Sequence, residues 1–289
     1  MHHLRKGSVT PDLFTPRDFT PPGSFTSGAE GPAVDHRDGC LYAVSYERAR
    51  TIGRMAPEGA GQVFLELPAG STGNGIRFDS RGDMLVADYT GHNVLRVEMA
   101  TRAVRVHAHE PRMNQPNDIA IAADDRVYAS DPSWADGTGQ MWRVDPDGTV
   151  TLLEAGMGTT NGIEVGPDQG RLYVNESVQR SVWAYDLSPA GEISRKRLLI
   201  RFEDFGLDGM RCDVDGSLWI TRHGKGTLVQ LSPEGTVLRE IRLAGEKPTN
   251  VAFGGPDGRT LYVTVADRGN VEVLRVERPG WSWELARRR

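Results

Sequence analysis

The sequence predicts an all-β fold, a six-bladed β-propeller with four antiparallel strands per blade, on three observations. An oxygen-bearing residue, usually followed by a small one and then by alternating apolar positions, recurs at Glu30, Asn74, Asn117, Asn161, Asp208 and Asn250, in steps of 44, 43, 44, 47 and 42 residues. Glycine supplies 34 of 289 residues, well above the typical ~7% and without a collagen period, so the chain is rich in tight turns. Almost no stretch shows the i, i+3, i+4, i+7 spacing of an amphipathic helix. Short strands in fours, repeated every roughly 40–50 residues, mark a propeller blade. A barrel or a two-sheet sandwich would not give six near-equal intervals.

Each unit reads alike. The first strand follows the leading residue, as in Gly75-Ile76-Arg77-Phe78. A turn comes next: Asp38-Gly39, Arg81-Gly82, Asp124-Asp125, Asp168-Gln169-Gly170, Asp215-Gly216 or Asp257-Gly258. Such residues supply the positive φ of hairpin turns. Second strands are expected over residues 41–44, 84–87, 127–130, 172–174, 218–220 and 261–263. A polar loop then leads to a third strand, such as Val94-Leu95-Arg96-Val97, and most units close with a fourth, such as Leu198-Leu199-Ile200. Residues 28–289 thus form a single propeller domain. Residues 1–27, with Phe14-Thr15-Pro16 and Phe19-Thr20-Pro21, are expected to wrap or close the ring. Ser282-Trp283-Glu284-Leu285 competes for that closing strand.

Acidic residues number 39 and basic residues 34, a formal net charge of −5. Neither nucleic acid nor an anionic membrane is an expected partner, since each needs a basic face. No apolar run approaches the ~20 residues of a membrane span. Cys40 and Cys212 sit in apolar surroundings and read as buried small hydrophobes, not as a disulfide framework. The basic opening Met1-His2-His3-Leu4-Arg5-Lys6 has no apolar stretch behind it, so no signal peptide is read and the expected compartment is the cytoplasm.

Blade topology turns the repeat into a site. The innermost strand starts at one mouth of the central channel, and the loop between strands two and three returns to that mouth. The leading residues therefore converge with the loops 45–51, 88–93, 131–139, 175–181, 221–226 and 265–270. Six oxygen-bearing side chains, two of them carboxylates, enter one narrow channel, and no Lys or Arg holds an equivalent position. Uncompensated charge there is costly. An all-oxygen set with two carboxylates is what a hard divalent cation prefers. The expectation is one divalent cation on the channel axis, Ca²⁺ first, with Zn²⁺, Mn²⁺, Fe²⁺ and Mg²⁺ as alternatives.

The motifs Ala29-Glu30-Gly31-Pro32, Gln115-Pro116-Asn117-Asp118, Thr160-Asn161-Gly162-Ile163 and Leu207-Asp208-Gly209-Met210 resemble the senescence-marker-protein, gluconolactonase and luciferin-regenerating-enzyme family, in order and spacing over residues 28–277. The resemblance implies a six-bladed propeller with one divalent cation at the channel mouth, held by Glu30, Asn117, Asn161 and Asp208. It also implies hydrolysis of sugar lactones, other lactones or organophosphate esters. Asn74 and Asn250 share the register and are expected to hydrogen-bond water or substrate. Gln115 stands where some sugar lactonases carry Arg, so a sugar-acid contact through that Arg does not carry over. Trp134 adds an aromatic wall, which fits a substrate larger or less sugar-like than an aldonolactone.

The function these residues point to is a metal-dependent lactonase acting on a small-molecule lactone, with the cation as Lewis acid. Asp208 is the first candidate for general base, with Asp131 and Glu176 as alternatives. His223 is a candidate for proton transfer or substrate contact, and Arg222 and Lys225 for holding an anionic group. Asp88, Tyr89, His92 and Asn175 line the same mouth. Ser45 and Ser133 lack a His–Asp companion pattern, so no serine nucleophile is expected. Two readings stand beside this one: a phosphotriesterase-type hydrolase using the same site, and a non-catalytic ligand-binding propeller.

Overall fold

The computed structural model describes residues 12–289, so the first eleven positions of the expected N-terminal extension lie outside the described residues. Six four-stranded antiparallel sheets stand in a ring. A two-residue strand, β1 (Arg17–Asp18), comes first. Blade one holds β2 (Phe25–Asp35), β3 (Cys40–Tyr46), β4 (Thr51–Met55) and β5 (Gly61–Glu66). Blade two holds β6 (Gly73–Phe78), β7 (Met84–Asp88), β8 (Asn93–Glu98) and β9 (Ala103–His109). Blade three holds β10 (Ile119–Ile121), β11 (Val127–Ser133), β12 (Thr138–Val144) and β13 (Val150–Met157). Blade four holds β14 (Thr160–Val165), β15 (Arg171–Glu176), β16 (Ser181–Leu187) and β17 (Ile193–Arg201). Blade five holds β18 (Met210–Cys212), β19 (Leu218–Arg222), β20 (Thr227–Leu231) and β21 (Val237–Arg242). Blade six holds β22 (Pro248–Gly254), β23 (Thr260–Val265) and β24 (Asn270–Arg275).

The core lies between blades. Second strands are buried along their whole length in blades one, two and five, because each is covered on both faces by neighbouring sheets. Tyr42 and Val44 of blade one pack with Ile76, Val86 and Leu95 of blade two. Leu85 and Val94 of blade two pack with Ile119 and Trp142 of blade three. Cys40 and Cys212 are free and buried in these layers.

Second strands run further toward the mouth than the sequence suggested. The segment read as a loop from residue 131 begins as paired strand: Asp131 faces Gln140, Pro132 faces Gly139 and Ser133 faces Thr138. Asp88, Glu176 and Arg222 are likewise the last residues of β7, β15 and β19.

Blade six is completed by β1, which pairs with β24 through Arg17 opposite Val273 and Asp18 opposite Glu272. Asp18 takes two hydrogen bonds from Arg268, at 2.6 and 2.9 Å, and one from Asn270 at 2.9 Å. Phe19 packs edge-on against Tyr262, with ring centroids 4.9 Å apart. Ser282-Trp283-Glu284-Leu285 is not a strand, which corrects the competing expectation. It lies in an α-helix, α1 (Trp281–Arg288), the only one among the described residues. The edge of β24 is already paired with β1. Trp281 and Leu285, four residues apart on one helical face, bury against Met210, Cys212 and their neighbours instead. Among the described residues, no helix is long and apolar enough to cross a membrane.

Candidate functional site

Glu30, Asn74, Asn161 and Asn250 lie within β2, β6, β14 and β22, while Asn117 and Asp208 stand two residues before the start of β10 and β18. The residue after the leading one is glycine in four blades because adjoining inner strands leave no room for a side chain. A Cβ on Gly31, whose φ is +59°, would sit 1.9 Å from Asn74 O. On Gly75 it would sit 2.6 Å from Asp118 Oδ1, on Gly162 2.5 Å from Asp208 O, and on Gly209 1.9 Å from Asn250 Cγ. Backbone bonds knit the same junctions: Gly75 N donates to Asn117 O at 2.9 Å, and Gly209 N to Thr249 O at 2.7 Å. Gly209→Ala should therefore displace Asn250 and lower stability by about 1–3 kcal/mol. Thermal unfolding of this variant beside Gly209→Ala/Asn250→Ala checks it. The second substitution should recover part of the loss, and full additivity would deny the contact.

The leading side chains form one electrostatic unit. Glu30 is buried and accepts a hydrogen bond from Gly31 N, with Asn250 beside it. Burial, then the Asp118 carboxylate, push its carboxyl up to about 8. Burial and the Glu30 carboxylate push Asp208 well above the usual carboxylate range, against a hydrogen bond from Asn161 that lowers it. The amide oxygens of Asn74, Asn117 and Asn161 are buried with no hydrogen-bond donor. So is that of Asn175, whose amide nitrogen donates to Asp208 O at 2.6 Å. Buried polar atoms are rarely left orphaned. Donorless amide oxygens around two carboxylates make an unsatisfied negative pole, and this donor set suits a hard divalent cation. Among the described residues no three His, Cys, Asp or Glu side chains cluster as metal ligands, so amide oxygens would complete any such shell.

No Lys or Arg occupies a leading position, but two arginines enter the channel from elsewhere on the inner strands. Arg77 and Arg211 lie three residues after Asn74 and Asp208, and both are buried. Asp118, fully buried, meets Arg211 Nη1 at 2.9 Å and Arg77 Nη1 at 3.4 Å. Glu164 Oε2 stands 3.8 Å from Arg77 Nη2 and 3.9 Å from Arg211 Nε. A regular strand alternates faces, so residues three apart would point oppositely. The pairing of β6 with β7 shifts register between Gly73 and Ile76, and that of β14 with β15 between Thr160 and Ile163. Such irregularities reset the alternation. Both the leading residue and the third one after it then face the channel.

Other expected site residues prove to be anchors for the mouth loops. Asp131 is fully buried and accepts from Asn114 N (2.9 Å), Gln115 N (2.6 Å), Gln140 Nε2 (2.7 Å) and Trp142 Nε1 (2.8 Å). Asp88 takes Thr72 N at 3.0 Å, and Glu176 takes Gly158 N at 2.8 Å. Asp267 takes Glu246 N and Lys247 N at 2.9 and 2.8 Å. In each case the acid holds the segment that precedes its own blade's leading residue. Blade five reverses the polarity: Arg222 donates to Asp204 O and, at 2.6 Å, to Asp204 Oδ1, with its guanidinium 4.0 Å from the Phe202 ring. The sequence signal for these anchors is a similar offset: Asp88, Asp131 and Arg222 follow their leading residues by 14, Glu176 by 15 and Asp267 by 17. Arg222 is thus tied inside its blade, and Lys225 is held between Asp204 and Glu240 at 3.2 Å from each, so both candidates for holding an anionic group already have carboxylate partners. His223 is half-buried, and burial and the nearby Lys247 lower its pKa, so it is neutral near pH 7. Trp134 is exposed, its backbone N–H reaching Gln115 Oε1 at 3.4 Å, and Tyr89 lies beside it.

A family model described as the SMP-30/gluconolactonase/LRE-like region matches residues 28–267. A pentonolactonase of Haloferax volcanii is 38% identical over 243 residues, covering 82% of this chain and 81% of its own length. A gluconolactonase of Zymomonas mobilis is 28% identical over 273 residues, covering 82% of this chain and 76% of its own. Among solved structures, a calcium-binding protein, regucalcin, from Agrobacterium tumefaciens shares the fold with a TM-score of 0.81 at 22% identity, over 92% of this chain and 95% of that one.

Proposed function

The chain belongs to the SMP-30/gluconolactonase/LRE-like family, and from that premise we propose that it hydrolyses sugar lactones with the help of one divalent cation, Ca²⁺ first, at the mouth of its channel. The observation that carries the proposal is the set of donorless buried amide oxygens gathered with Glu30 and Asp208. Glu30, Asn117, Asn161 and Asp208 would hold the cation, with Asn74 and Asn250 beside them. The similarity to a pentonolactonase and a gluconolactonase supports an aldonolactone as the substrate class. The chemistry a bound divalent cation supplies is polarisation of the lactone carbonyl and stabilisation of the oxyanion that develops on it.

The chain's own groups do the rest. Asp208 is partly exposed, so it can accept the proton of the attacking water. Asn161 beside it favours the ionised carboxylate. A carboxylate beside a cation is a weak base, which suffices for an activated ester and would not for an amide. Asp131 and Glu176 hold loops and are less available as bases. Tyr89, Gln115 and Trp134 wall one side of the mouth against the lactone ring.

Acid release from pentono- and gluconolactones should cease on chelation and return with added divalent metal. Full activity after exhaustive chelation overturns the metal dependence, and no turnover of any lactone with metal present overturns the hydrolase. A second expectation follows from Glu30. In chelated protein its folded pKa is about 8 against about 4.5 unfolded. A raised folded pKa means that stability fully present below pH 4.5 is lost as pH climbs through about 8. The rise in melting temperature on adding Ca²⁺ should therefore grow between about pH 5 and pH 8. A gain that does not change with pH would remove Glu30 from the cation's surroundings.

A further inference from the structure

The channel has another end. A partly open cavity of about 310 Å³ lies there, walled on one side by α1. Its wall is largely apolar, with Ile76, Phe78, Phe253 and Leu285 among its residues. Arg77 and Arg211 reach this wall, whereas their partners Asp118 and Glu164 do not. The ion-pair network thus turns its positive edge to the cavity. Arg77 is 6% exposed, and its Nη2 has no hydrogen-bond partner, the nearest carboxylate oxygen standing 3.8 Å away on Glu164. The two acids of the wall are already engaged: Asp35 by Arg37 at 2.6 Å, and Asp79 by Arg96. On α1, Arg287 adds a further cation, 4.6 Å from the Trp283 ring. A largely apolar, partly open space with an under-bonded guanidinium in its wall and no free acid is complementary to an amphipathic anion.

We propose that this cavity is a second ligand pocket, separate from the cation-binding mouth, which takes a small monocarboxylate with an apolar body. The carboxylate lies against the guanidinium edge that Arg77 and Arg211 bring to the wall, and the body lies against Phe78, Phe253 and Leu285. Planar guanidinium and carboxylate match in geometry as well as charge.

Calorimetric titration of the whole, chelated protein with phenylacetate tests this, since chelation removes any carboxylate binding through a metal. Phenylacetamide is the neutral twin. Phenylacetate should bind saturably and about tenfold or more tighter than the amide, the margin expected of a charge-assisted hydrogen bond. Arg77→Gln should erase that preference. Ala286→Trp adds bulk to the cavity from the helix side and leaves Arg77 and Arg211 unsubstituted, and it should abolish binding of both compounds. Equal affinity for the two compounds, binding that survives Ala286→Trp, or no saturable binding at millimolar concentration overturns the proposal. Should Arg77→Gln fail to fold, the pair of compounds and Ala286→Trp decide the matter.

Discussion

Asp208→Asn should lower lactone turnover by about 10²-fold or more at saturating metal, the range expected for losing general-base assistance. The substitution keeps the size and one oxygen of the side chain. It removes one of the two carboxylates of the leading set and the oxygen that accepts the proton. Metal affinity should weaken too, because Glu30 alone would remain to offset the cation's charge. Turnover measured across metal concentration separates the effects. Near-normal activity restored at high metal would make Asp208 a ligand only. The search would then move to another base, and the anchoring contacts of Asp131 and Glu176 make neither an easy substitute. Loss that metal does not rescue, with Ca²⁺ still bound by calorimetry, supports the double role. Asn74→Ala, in the same register but outside the proposed ligand set, should leave the metal bound.

Arg211→Met should cost about 3–5 kcal/mol of folding stability, the penalty for stranding a buried carboxylate. Asp118 is 0% exposed, and its contact with Arg77 at 3.4 Å is longer than the one it would lose at 2.9 Å. Denaturant unfolding gives the number. The double variant Arg211→Met/Asp118→Leu leaves Arg77 opposite Glu164 and no unpaired acid, so it should be more stable than Arg211→Met alone. A cost below about 1 kcal/mol for the single change, in the range of a surface pair, would show that water reaches Asp118 and that the channel is not sealed there.

The ring was legible because six copies of one pattern average out local ambiguity, and the leading residues were legible because the polar–glycine pair repeats with it. The arginines of the channel were not. Reading Arg77 as channel-facing requires knowing that the strand slips register between Gly73 and Ile76, and no composition rule marks that slip. Two residues, Arg17 and Asp18, are too few to show a strand period. The eight residues of α1 could equally be read as an edge strand until β24 was found already paired. Asp88, Asp131, Glu176 and Arg222 were each noticed as polar residues at the mouth. Their hydrogen bonds show that they serve as anchors, and the matching sequence signal, a similar distance from the leading residue, emerges from a comparison of blades and not of residue types.

Those anchors bear on how such a protein can diversify. Each one grips a loop of its own blade, so the contour of that loop is decided within a single repeat. Mutation can reshape one sector of the rim while the neighbouring sectors and the seat at the centre are inherited unchanged. Blade five already carries such an exchange, an arginine gripping from the position where its neighbours place an acid. Selectivity among lactones can therefore drift sector by sector, and grafting a loop together with its anchor from a relative is the unit of change that should preserve the rest.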